Sequence, residues 1–186
     1  MKRRDEGTCT SIYAFLCVPR VAILLTLFLT LSGHSYSANT TTAGQLEIDA
    51  TKAGPRALEA LTERGILRDY RFAWASMTQA LEFNTSDPLE GPFTDEAKAW
   101  LQETVASQQK AGLSQRYVNQ NHKLVVVFYA PEGDLIELQD NADFQRQVLD
   151  GRNTIQEEHV VAHYIVLMTP SADRWVVRQL QAVPHF

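Results

Sequence analysis

The chain has little cysteine and places it badly for staples: Cys9 and Cys17 are its only two, and both fall in the first segment. Everything downstream is therefore without disulfides, thiol catalysis or cysteine-ligated metal, and must be held by a hydrophobic core. Basic runs are missing too. The first 38 residues carry four of the 17 basic and two of the 22 acidic residues, leaving 13 against 20, a net charge of −7, for residues 39–186. A domain that acidic is a poor partner for nucleic acid or for an anionic membrane surface. There is no glycine-rich phosphate loop, no nucleophile elbow and no Cys/His cluster. Those absences remove the usual signatures of nucleotide binding, ester hydrolysis and structural zinc.

What is present begins with a leader. Lys2, Arg3, Arg4 and Arg20 precede Val21–Leu31, an 11-residue run of apolar residues and threonine, and Ser32–Ala38 supplies small residues for cleavage. That order is the layout of a secretory signal peptide over residues 1–38, and the run falls short of the roughly 20 residues needed to span a bilayer. Arg20 follows an earlier apolar patch, Ile12–Val18, so an uncleaved anchor is the alternative. The expectation is an exported protein, periplasmic or extracellular, attached to a membrane only if the leader is retained. Residues 39–54, rich in Thr, Gly and Ala, are expected to be a flexible spacer, and residues 55–186 a single α+β domain.

In that domain, Pro55 suits the first position of a short helix ended by Gly65. Leu67, Tyr70, Trp74, Met77 and Leu81 then recur at helical spacing and predict a longer, core-facing helix. Thr94, followed by Asp95 and Glu96, starts a third helix that Lys110 and Gly112 close. Beyond Gly112 the period falls to two. Leu124–Ala130, Leu135–Leu138, Phe144–Leu149, Thr154–Met168 and Trp175–Val183 are expected strands, with turns at Pro131–Asp134, Asp150-Gly151 and Pro170–Arg174. Connections that short require antiparallel neighbours. Val160–Met168 is apolar on both faces, so it predicts a central strand covered on both sides.

Few residues carry candidate chemistry. Glu157-Glu158-His159-Val-Val-Ala-His163 is superficially similar to a zinc-protease HExxH motif, but its Glu precedes the first His. On a strand, residues four apart are also separated by roughly 13 Å, too far to share one zinc. No metal and no cofactor are expected. His163, inside an apolar strand, is expected to be a satisfied core or interface histidine, with a pocket donor or base as its functional alternative. His122 falls in an expected loop. For acid–base chemistry the carboxylates on offer are Asp140 and Asp143, and the hydroxyl donors Tyr70, Tyr117, Tyr129 and Tyr164. Both aspartates lie in a polar DNAD stretch expected to be a turn. No residue is assigned a catalytic role, and the candidate pocket residues are Tyr70, Trp74, Tyr129 and His163.

The aromatic helix DYRFAWASMTQAL, the strand HVVAHYIVLM and the closing ADRWVVRQLQAV together resemble the nuclear transport factor 2-like superfamily. That group has a cystatin-like α+β cone and also holds ketosteroid isomerases and SnoaL-type cyclases. The resemblance spans roughly residues 55–184 and is one of pattern. It implies N-terminal helices on a curved antiparallel sheet, a pocket at the wide end, and dimers through the open sheet face. No catalytic motif of those families is matched here. The expected function is an exported, non-catalytic domain that binds a partner protein or an apolar small molecule and forms a homodimer. An isomerase, cyclase or dehydratase acting on a small molecule is the alternative, and a module of an envelope protein assembly a third reading.

Overall fold

A computed structural model describes residues 44–186. The leader expected over residues 1–38 lies outside the described residues. Helix α1 spans Ala60–Phe83 and buries Ile66, Tyr70, Ala73, Trp74, Met77, Ala80 and Leu81, the three-and-four spacing of one face. The sequence predicts two helices here, divided at Gly65, but the helix runs through that residue. A glycine inside a helix costs about 1 kcal/mol relative to alanine, and burying Ile66 and Tyr70 on the same helix outweighs it. Pro55 starts no helix: Gly54 and Arg56 bond the backbone of Tyr129 instead, in extended conformation. Asn84, left-handed at φ 52°, ends α1.

Helix α2 covers Asp95–Ala111, buries Ala97, Leu101 and Val105, and stops at Gly112 with φ 69°. The Gln108 amide donates to the Leu81 carbonyl at 3.0 Å and to Asn84 Oδ1 at 2.8 Å, tying α2 to the end of α1. A Cβ on Gly112 would meet no atom within 4 Å, so backbone conformation alone opposes a side chain there. Gly112→Ala is accordingly expected to cost about 1–2 kcal/mol in urea unfolding.

The two helices pack on a five-stranded mixed sheet, so the domain is α+β. Its strands are β1 (Leu46–Asp49), β2 (Leu113–Tyr129), β3 (Ile136–Asp150), β4 (Asn153–Ser171) and β5 (Arg174–Val183), in spatial order β1-β2-β3-β4-β5. Neighbours β2 to β5 are antiparallel, as their short connections require; β1 lies parallel to β2. Strand β1 comes from the stretch expected to be a spacer: Leu46 and Ile48, two apart, turn inward against the core. The DNAD stretch is also no turn. It continues β3 without interruption, Asp140 pairing with Leu124 on one side and Tyr164 on the other. The hairpin near Asp150 forms one residue later than its sequence signal, with Asp150 opposite Asn153 and Gly151-Arg152 as the loop.

Parity along the strands settles which side chains meet the helices. Val166 and Met168 of β4 belong to the buried core, and Val160, Ala162 and Tyr164 are partly buried against it. His163 alternates with them, so it faces outward with Val161, Ile165 and Leu167. Among the described residues, helices thus cover this strand on one face only, not on both as its apolar pattern predicts.

Candidate functional site: a cleft between α1 and β2

Two adjacent rows of α1 side chains form one wall of a cleft. Tyr70, Trp74, Thr78 and Glu82 recur every four residues, with Arg71, Ala75, Gln79 and Phe83 alongside. The opposite wall is Tyr117–Gln120 with His122 of β2, and Gly44 and Leu46 close the end at β1. The cleft holds about 400 Å³, within the usual size range of small-molecule sites. Tyr70, Trp74 and His122 are buried and make its floor, whereas Arg71, Ala75, Gln79, Phe83 and Asn119 are exposed at its rim.

A β-bulge shapes the sheet side. Between Val118 and Asn121 strand β2 carries one more residue than β3, and Asn119 adopts φ 55°. Such a bulge bends the strand and re-aims its side chains. Gln120 is fixed there by donating to Thr78 Oγ1 at 3.0 Å and to the Tyr117 carbonyl at 3.1 Å. Gly44 approaches so closely that a Cβ on it would lie 1.8 Å from the Gln120 carbonyl oxygen. Glycine is what lets the chain before β1 seat at this end of the cleft.

Beneath the floor lies a polar chain. The Tyr70 hydroxyl donates to Asp140 Oδ2 at 2.7 Å, and His122 Nδ1 lies 2.9 Å from the same oxygen. Asp140 is 0 % exposed and does not line the cleft. In a neutral imidazole the nitrogen facing a carboxylate carries the proton, so with the ring neutral Nδ1–H is the donor and Nε2 the acceptor. Nε2 and Asp140 Oδ1 are both buried and have no hydrogen-bond partner among the described residues. Trp74 packs on the His122 ring with centroids 4.3 Å apart, and meets Phe144 at 6.0 Å and Tyr164 at 5.7 Å.

Burial, and then the charge of Asp140, push the Tyr70 hydroxyl well above its ordinary range and hold it as an O–H donor. Burial also raises Tyr117 and pushes Tyr164 up to about 12. The protonated phenols therefore favour the folded state more than the unfolded one. Their contribution is complete below about pH 10, where unfolded tyrosine titrates, and is lost as pH climbs through the folded values. Stability is expected to fall above pH 10 by up to about 1.4 kcal/mol per pH unit for each such tyrosine. Urea midpoints between pH 8 and 11.5 measure this, and Tyr70→Phe should flatten the slope.

Of the residues singled out from sequence, Tyr70 and Trp74 meet in the cleft. Tyr129 does not. It is inward-facing, but lies at the other end of β2, packed on Trp175 at 6.4 Å and under the Arg56 guanidinium at 5.1 Å. Seven residues of strand beyond His122 amount to about 23 Å. His163 is on the outer face by parity, its ring 5.0 Å from that of Phe186. His159, also outward, faces Asp143 Oδ1 across 2.8 Å. Sequence reasoning missed His122, and it offered Asp140 as an acid–base carboxylate but placed it in a turn, not beneath the cleft. Each had a signal: one polar residue at an inward position of an alternating apolar set, His122-Leu124-Val126 in β2 and Leu138-Asp140-Ala142-Phe144 in β3.

No family model matches the chain, and no curated protein matches it in sequence. Among solved structures it is similar to the intermembrane space region of the chloroplast protein ARC6. The TM-score is 0.53 at 14 % identity, over 69 % of this chain and 98 % of that one. A likeness at that identity concerns the fold alone.

Proposed function

We propose that this domain is a non-catalytic binding module that takes an apolar small molecule in the cleft between α1 and β2. The observation that carries the reading is the cleft's build: apolar walls of Leu46, Trp74, Ala75, Phe83 and Val118 around a floor with one unpartnered imidazole nitrogen. Apolar walls with a few placed polar groups are the usual composition of a small-molecule site. The isomerase, cyclase or dehydratase alternative needs a carboxylate base that reaches substrate. Asp140 sits behind Tyr70 and His122, away from the cleft lining, and one of its oxygens already accepts from both. Glu82 does line the cleft, but it is paired with Arg116 at 2.8 Å. Binding therefore accounts for the arrangement better than catalysis. Ala75→Trp, a change at an exposed rim position, should fill the mouth without touching the core. Calorimetric titration of the full chain with 2-methylnaphthalene is expected to show saturable binding that weakens at least tenfold in this variant. Equal affinity in both proteins would remove the reading.

A second reading concerns the outer sheet face, where Val161, His163, Ile165 and Leu167 form a stripe on β4 that no helix among the described residues covers, with Phe128 exposed on β2. We propose that a second copy of the chain covers it, giving a homodimer. Between those strands runs a polar row of β3, Glu137, Gln139, Asn141 and Asp143, so the contact would be mixed in character. Sedimentation at micromolar concentration tests this: a dimer converted to monomer by Val161→Asp is expected, and a wild-type monomer removes the reading. The two helices ahead of four long antiparallel strands, with a cleft between α1 and β2, also support grouping the domain with the nuclear transport factor 2-like cone, to which the parallel strand β1 is an addition at the edge. Export, with the leader either cleaved or kept as an anchor, remains part of the proposal; the N-terminal sequence of the secreted or membrane-bound protein decides it.

A further inference from the structure

We infer that the ligand of this cleft carries a neutral hydroxyl group, and that His122 Nε2 accepts its hydrogen bond. The inference rests on the binding reading above and names the chemical class of the ligand. Three observations lead to it. Asp140 Oδ2 lies 2.9 Å from Nδ1 and, in the neutral ring, fixes the proton there, so the other ring nitrogen is an acceptor. That nitrogen is shielded from water and has no hydrogen-bond partner among the described residues. A buried acceptor without a partner is costly, and a ligand that supplies an O–H recovers the loss. Finally, the surroundings select against a charged group. The carboxylate of Asp140 stands on the far side of the imidazole and would repel a second anion at Nε2. Among the cleft-lining residues the cation is Arg71, exposed at the rim, and the nearby Arg116 is occupied by Glu82.

The remaining lining narrows the class further. Trp74, packed on the His122 ring at 4.3 Å, presents a flat aromatic wall beside the acceptor, which suits a planar or fused-ring skeleton. Because Nε2 is shielded in the free protein, the hydroxyl reaches it only as the floor side chains shift. The hydrogen bond thus forms inside the apolar site and not at the rim. A site built to accept one hydrogen bond discriminates strongly against an analogue lacking the donor.

Fluorescence titration of the full chain with three probes of one ring system tests this: 2-naphthol, 2-methylnaphthalene and 2-naphthoate. The preference of the wild type for 2-naphthol over 2-methylnaphthalene is expected to exceed that of His122→Phe by at least tenfold, the ratio of ratios cancelling the difference in hydrophobicity. Independently of any variant, 2-naphthoate should bind the wild type at least tenfold more weakly than 2-naphthol. An unchanged ratio in His122→Phe, or 2-naphthoate binding as tightly as 2-naphthol, overturns the inference while leaving the cleft reading in place. Loss of all three probes' binding in the wild type would remove both.

Discussion

Replacing Asp140 with alanine is expected to lower the stability of the folded domain by about 3–5 kcal/mol. The carboxylate is fully buried and accepts from the Tyr70 hydroxyl and from His122. Its removal leaves both donors in an apolar interior with nothing to bond, and each unsatisfied buried group costs about 1–3 kcal/mol. A cavity term adds to that, since the site lies between Leu124 and Tyr164 in the middle of the sheet. Asp140→Asn separates the contributions. Its amide oxygen can still accept from Tyr70 and His122, so the expected loss is about 1–2 kcal/mol, the difference between a charge-assisted and a neutral bond. Urea denaturation of both variants measures the pair. An alanine variant as stable as the wild type would mean that the chain from Tyr70 through Asp140 to His122 does not organise this part of the fold.

Trp74→Ala is the second large effect. Trp74 is 4 % exposed and stands in edge or tilted contact with Tyr70, His122, Phe144 and Tyr164. Truncating a buried aromatic of this size typically costs about 3–5 kcal/mol. Here the hole opens into the cleft, so part of the new volume can fill with water or ligand, and the cost should fall toward the lower end of that range. The same opening exposes the His122 ring. The expected signature is therefore a destabilised domain that admits a bulkier ring than the wild type does. Trp74→Phe, keeping most of the volume, should lose about half as much. Differential scanning calorimetry in the presence and absence of 2-methylnaphthalene reads both effects, because a ligand bound only to the folded state raises the midpoint.

Much of this fold could be seen in the residues. The helical stripe from Leu67 to Leu81, the Gly112 stop, and the antiparallel run from β2 to β5 follow from period and turn chemistry, and the structure has them. Where the reading went astray, local preference lost to packing. Gly65 is a helix terminator by composition, but it stays in α1 because the residues after it have a core to enter. The DNAD stretch has the composition of a turn. Its alternation, however, with Leu138, Asp140, Ala142 and Phe144 all inward, is that of a strand. Strand β1 was hidden for the opposite reason: four residues carry too little periodicity to stand out, and only their pairing with His122–Val125 makes them a strand.

The site was half legible. Tyr70 and Trp74 stood out as aromatics on a helix, and Tyr70 and Asp140 were both among the acid–base candidates, but nothing in the sequence joins residues 70 apart. His163 drew attention because it interrupts an apolar strand, and a one-residue parity puts it on the outer face. His122, in a stretch with the look of a loop, is the histidine that the fold brings to the cleft. The lesson is specific: an isolated polar residue at an inward strand position is a better pointer to a buried site than a conspicuous motif on the same sheet.

A ligand held between α1 and β2 would perturb the residues that line that space. The most direct test is to record backbone amide chemical shifts of the isotope-labelled full chain while 2-naphthol is added. Saturable shifts are predicted at Ala75, Thr78, Val118, Gln120 and His122, with Val125, Val161 and Ile165 of the outer face unmoved. Shifts confined to the outer face, or none at any concentration the probe allows, would contradict a ligand site there.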